Sequence, residues 1–166
     1  MMNKLIRFTT FVALAMLGGC AGMRETPAIG DPEDIVQKKI GAPTSIYGAG
    51  NDRIFEYATG PMGQQTFMAH IAADGRLASF EQALTSQKFA TIKIDSATKE
   101  DVLRAVGRPA ETSRVALRNY EVWSYRYKEA GVWNSLMHVH FDEQGVVRQM
   151  MNGPDPMYEP KERAGW

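Results

Sequence analysis

Cysteine is nearly absent from this chain, with Cys20 the single thiol among 166 residues. No intrachain disulfide can form, even in an oxidising compartment, so the fold must rest on apolar burial. A surplus of one charge is also missing, because 19 Lys and Arg face 19 Asp and Glu. Without a basic field no nucleic-acid partner is expected. The sequence has no Gly-x-Ser-x-Gly elbow and no glycine-rich phosphate loop, and its carboxylates are scattered. No catalytic residue, no cofactor and no enzymatic activity are expected from such a pattern. Apolar residues, by contrast, are plentiful at 44%, enough for one core or two small ones.

The N-terminus carries an address. Lys4 and Arg7 precede an apolar stretch over residues 8–17, half the roughly 20 residues that span a bilayer and suited to a signal-peptide core. The stretch ends in Leu17-Gly18-Gly19-Cys20, which resembles a bacterial lipobox. That resemblance implies cleavage after residue 19, acylation of Cys20 and attachment to a membrane through lipid. Ala21, rather than Asp, after the cysteine resembles the outer-membrane sorting signal, so the expected location is the periplasmic face of the outer membrane. Residues 20–30 read as a tether.

The remainder reads as two copies of one unit, 31–83 and 84–152. Asp34-Ile-Val-Gln-Lys-Lys-Ile-Gly41-Ala-Pro43 matches Asp101-Val-Leu-Arg-Ala-Val-Gly107-Arg-Pro109. Phe55-Glu-Tyr57 then matches Trp123-Ser-Tyr125, and Phe67-Met-Ala-His70-Ile matches Met137-His-Val-His140-Phe. Acidic turns at Asp74-Gly75 and Asp142-Glu-Gln-Gly145 close the copies. The offset grows from 66 at the helix-stop glycines to 70 at the closing ones, as small loop insertions would cause.

Each unit begins with a helix and continues with strands. Thr98 and Asp101 have capping-box spacing, and Val102, Leu103 and Val106 form an apolar stripe. In the first copy Asp31 is the expected N-cap with Pro32 at the first helical position, and Val36 and Ile40 face inward. Gly41 and Gly107 suit left-handed C-terminal positions, and Pro43 and Pro109 prevent continuation. Beyond these stops, side chains alternate. Trp123, Tyr125 and Tyr127 share one strand face, and Met137, Val139 and Phe141 another, with Val122, Ser124, Arg126, Leu136, His138 and His140 opposite. The predicted class is α+β, in two similar lobes, each with helices packed on one face of an antiparallel sheet of three to four strands. A further helix is expected over 85–91, and the Pro-rich tail 153–166 is expected to lack regular structure.

Leu84-Thr-Ser-Gln-Lys-Phe-Ala-Thr-Ile-Lys-Ile94, with Thr98-x-x-Asp-Val102, Gly107-x-Pro109, Trp123-x-Tyr125, Gly131 and Val139-His-Phe141-x-x-x-Gly145-Val, resembles the SmpA/OmlA (BamE-like) outer-membrane lipoprotein family. The likeness is good over residues 84–150 and looser over 31–83. It implies two helices on a three-stranded sheet, and a role in outer-membrane protein assembly or envelope integrity with β-barrel assembly components as partners. Two departures stand out: the family has one such domain where this chain has two, and Ala21-Gly-Met-Arg-Glu-Thr-Pro27 does not match its N-terminal contact segment. The duplicated unit also resembles the two-lobed β-lactamase inhibitor architecture.

His138 and His140, at i and i+2 of a strand, could hold a metal with a third ligand, and His70 stands at the position equivalent to His140. Polar residues on an open sheet face account for them as well, and no metal is expected. Trp123 and Tyr125 read as core, whereas Trp133 beside Gly131 reads as an exposed anchor in a hairpin loop. The expected function is a non-catalytic module binding another envelope protein, with Trp133, His138, His140 and His70 as contact residues. The alternative is a periplasmic inhibitor or ligand-binding lipoprotein that uses the cleft between lobes.

Overall fold

The computed structural model describes residues 25–48 and 52–158. The signal segment 1–19, the lipid-bearing Cys20, the start of the tether and the end of the tail lie outside the described residues. The element order is α1 (Glu33–Ile40), β1 (Ser45–Tyr47), β2 (Arg53–Ala58), β3 (Thr66–Ile71) and β4 (Leu77–Gln82). Then come α2 (Ser86–Phe89), α3 (Lys99–Val106), β5 (Glu111–Val115), β6 (Tyr120–Glu129), β7 (Trp133–Phe141) and β8 (Val147–Pro154). A 3-10 turn, Ala116–Arg118, joins β5 to β6. Strands β1–β4 form one antiparallel four-stranded meander and β5–β8 another, giving two similar lobes. No helix among the described residues is long and apolar enough to cross a membrane.

The lobes repeat in detail. Phe55 pairs with Ala69 as Trp123 pairs with Val139. The register slips after His70 in the first sheet and after His140 in the second. Gly75 accepts from the Glu33 amide at 3.0 Å, and Gly145 from the Lys99 amide at 3.0 Å, so each helix start is tied to the last β-turn of its lobe. Val36 and Ile40 share a buried cluster with Phe55, Ala69, Ile71 and Leu77. Val102 and Val106 belong to the corresponding cluster with Trp123, Val139, Phe141 and Val147.

Local chemistry accounts for the helix ends. Thr98 Oγ1 accepts from the Asp101 amide at 3.3 Å while Asp101 Oδ2 accepts from the Thr98 amide at 2.8 Å, a complete capping box. In the first lobe Pro32, not Asp31, is the N-cap. Asp31 instead accepts from Lys39, in the last turn of the same helix, at 2.7 Å and from the Ala28 amide at 2.8 Å, which commits its carboxylate to those donors and not to a first-turn amide. Gly41 and Gly107 end their helices at φ of 91° and 82°, with ψ of −175° and −162°. Those angles lie in a region essentially reserved for glycine rather than the left-handed helical one expected.

Three further expectations change. The face of β6 opposite Trp123 is less open than the alternation predicts, because Val122, Ser124 and Arg126 are all buried. Gly153 and Pro154 extend β8, and Asp155 beyond them is buried beneath Arg126 rather than lying in a loose tail. Pro154 is tolerated because β8 is an edge strand, where a missing N–H leaves no ladder bond unmade. Residues 27–30 are not free tether either: Pro27 is buried, and the Gly30 amide donates to Leu77 O at 2.8 Å.

Candidate functional site

Between the lobes stands one buried acid. Glu56 sits mid-strand in β2 with no solvent exposure, on the face turned toward the second lobe. Tyr47 Oη donates to its Oε2, and the Arg108 amide donates to its Oε1 at 3.2 Å. Arg108 follows Gly107 at the end of α3, so the helix stop of the second lobe delivers a donor to the strand of the first. Gly107 lies so close that a Cβ there would come within 2.8 Å of the Glu56 carboxylate and 3.1 Å of Met68. The carboxylate and burial together push the Tyr47 phenol well above its ordinary pKa, burial being the larger cause. Two peripheral bonds accompany this clasp: Gln64 Nε2 donates to Asn134 Oδ1 at 2.9 Å, and Arg104 pairs with Asp52 at 3.1 Å.

Beside the clasp lies a cleft of about 250 Å³, lined by Glu56, Thr66, Arg108, Pro109, Tyr125 and Arg126 among others. Its charges are largely spoken for. Arg126 pairs with buried Asp155 and with Glu111, while Tyr125 Oη donates to Gly107 O at 3.1 Å. The walls of the cleft are only partly bonded to one another, since Arg126 Nε is buried without a hydrogen-bond partner.

The sequence-predicted contact residues are spread over both lobes. His138 Nδ1 hydrogen-bonds Ser124 Oγ at 2.8 Å across the β6–β7 ladder. His140 packs edge-on to Tyr120 with centroids 6.4 Å apart, and its pKa is lowered by burial and then by His138. His70, in the other sheet, lies 3.9 Å from Glu81. Among the described residues no group of three or more His, Cys, Asp or Glu is arranged to hold a metal. Trp133 is 69% exposed, but it opens β7 opposite Glu129 rather than sitting in the loop itself. With Tyr158 it borders a shallow groove that also includes Asn134 and Asn152. Gly41 and Gly107 act as helix stops, and Pro43 and Pro109 follow them as half-buried loop residues.

Glu56 was missed by the sequence reading. Its signal is an acid between two aromatic residues in a strand, at a position where the second copy carries Ser124. Asp155 gave no comparable signal, because the surrounding prolines read as coil.

No family model and no curated protein matches this chain. Among solved structures, a DUF4309 family protein (YjgB) from Bacillus subtilis subsp. subtilis str. 168 is similar at 13% identity, covering 74% of this chain and 76% of that one, with a TM-score of 0.29. A superposition that loose carries no structural or functional argument.

Proposed function

We propose that this chain is a lipoprotein held on the periplasmic face of the outer membrane through Cys20, serving as a non-catalytic module that binds another envelope protein. The lipobox-like Leu17-Gly18-Gly19-Cys20 supports the address. The observation that carries the binding role is the apolar surface left open on a tightly clasped body, notably Trp133, Val132 and the groove between Tyr57, Phe67 and Phe80. In this reading each lobe is a helical layer over one face of its sheet, which the shared clusters of α1 with β2–β4 and of α3 with β6–β8 support. The likeness of residues 84–150 to the SmpA/OmlA family makes β-barrel assembly components the first partners to test. Affinity capture from detergent-solubilised envelopes should recover them. A clean miss, together with normal barrel-protein levels in a deletion strain, sinks the assembly role.

The cleft beside Glu56 favours a second reading, a small-ligand or inhibitor function between the lobes. The buried Arg126 Nε without a partner in its wall favours such a ligand, and the cleft's modest volume of about 250 Å³ makes this the weaker of the two readings. Ligand-induced stabilisation lost in Thr66→Val would support it.

A further inference from the structure

One face of the second sheet brings two imidazoles and a thioether together. His138 and His140 lie two residues apart on β7, so both point to the same side of the sheet, about 7 Å from each other along the strand. Met151 of β8 stands directly across from His138, and Ser124 of β6 flanks that histidine on the other side. Directly opposed residues of an antiparallel pair share a face, so the three donors form a triangle on it. Both rings are half-buried and Met151 is 49% exposed, which leaves the triangle open to solvent.

The surroundings prepare these donors. His138 Nδ1 hydrogen-bonds Ser124 Oγ at 2.8 Å, and with Nδ1–H donating to the hydroxyl the Nε2 lone pair is left free. A bond of that kind at the second nitrogen is what orients an imidazole toward a metal. His140 rests edge-on to Tyr120, and burial, then His138, lowers its pKa, so its ring is uncharged at neutral pH. Its cross-strand partners are Val122 and Gln149, which carry no charge. Glu111, beyond Ser124 in the same row, is paired with Arg126.

The first lobe does not repeat the set. Glu56, Met68 and Glu81 occupy the places of Ser124, His138 and Met151 in the corresponding ladder. Met68 is buried beside Gly107 of the second lobe, and Glu81 pairs with Lys88 at 2.6 Å, which leaves His70 without companion donors.

We propose that His138, His140 and Met151 form a binding site for copper(I). Two neutral imidazoles and a thioether are a soft donor set, which suits this ion. A divalent ion would bring a second charge to a half-buried place with no free carboxylate to offset it. Ser124 is the positioning residue, holding His138 in the ligating tautomer. The site is independent of both functional readings above, and the failure of either leaves it standing.

Titration of the full chain with copper(I), without oxygen and against a chromophoric copper(I) chelator, tests the proposal. One ion per chain is expected, with NMR shifts of the His138 and His140 ring protons and of the Met151 methyl. Ser124→Ala, which removes only the orienting bond, should weaken binding by about 10- to 100-fold. Loss of a ligand in His138→Ala or Met151→Leu should weaken it by at least as much. Met151→Leu keeps the size and apolar character of an exposed position, so its thermal midpoint should not move and it decides the matter if His138→Ala fails to fold. The proposal is overturned by the absence of stoichiometric binding, by binding indifferent to Met151→Leu, or by zinc(II) held more tightly than copper(I) at these residues. Binding lost in Cys20→Ser but kept in His138→Ala overturns it as well, because the ion would then sit on the thiol.

Discussion

Gly107 and Glu56 meet across the lobe boundary so closely that a methyl on the glycine would stand 2.8 Å from the carboxylate. Gly41, the equivalent helix stop, has nothing within 4 Å of that position. Both carry positive φ with extended ψ, so alanine at either pays backbone strain of about 1–3 kcal/mol. Gly107→Ala must also displace Glu56, and as an overpacking change it should lose about 1 kcal/mol or more beyond Gly41→Ala. Urea unfolding midpoints of the two variants check this; equal losses would mean that the lobes yield at the clasp without cost.

Asp155 anchors the chain's last described turn. Its Oδ1 accepts from buried Arg126 and from the Met157 amide at 3.0 Å. Asp155→Ala strands a guanidinium that is 8% exposed, and removing one partner of such a pair costs about 3–5 kcal/mol. The remaining bond to Glu111, itself largely exposed, holds the loss toward the lower end. Differential scanning calorimetry of Asp155→Ala beside Asp155→Asn, which keeps an acceptor, measures the effect.

His140 sets a pH dependence whose sign follows from its surroundings. Burial, then His138, lowers its pKa in the folded chain below the ordinary 6.5, with Tyr120, Val122 and Gln149 as its other neighbours. Above that value both states are neutral. As pH falls through about 6.5 the unfolded chain takes up the proton first, so stability declines toward the folded pKa. The urea midpoint should therefore drop as pH falls through about 6.5, and His140→Gln should flatten the curve there.

Cys20→Ser is expected to leave both lobes folded, with an unchanged circular dichroism melt, and to shift the protein from the membrane to the soluble fraction. A variant that still sediments as unprocessed precursor would show the N-terminal segment anchoring without lipid.

Much of the scaffold could be read from residue patterns. The capping box at Thr98 and Asp101, the helix stops at Gly41 and Gly107 and the aromatic-x-Tyr strands are local, and local rules find them. Strands β1 and β5 were harder, since Ser45-Ile-Tyr47 is only three residues and Glu111–Val115 is exposed throughout, so neither shows an inside and an outside. Glu56 carried a signal, an acid between two aromatic residues, but its role did not follow from it. Alternation tells which side of a strand a residue occupies, not that a second lobe will cover that side.

Once Glu56 is committed to a tyrosine of its own sheet and to the Arg108 amide of the other lobe, the two halves stop being interchangeable. Ser124, at the corresponding place in the second lobe, serves a histidine within its own ladder instead. The halves therefore meet through a buried hydrogen bond and a close backbone approach rather than through surface contacts alone. Either half made alone would expose a carboxylate or a glycine shaped for a neighbour no longer there.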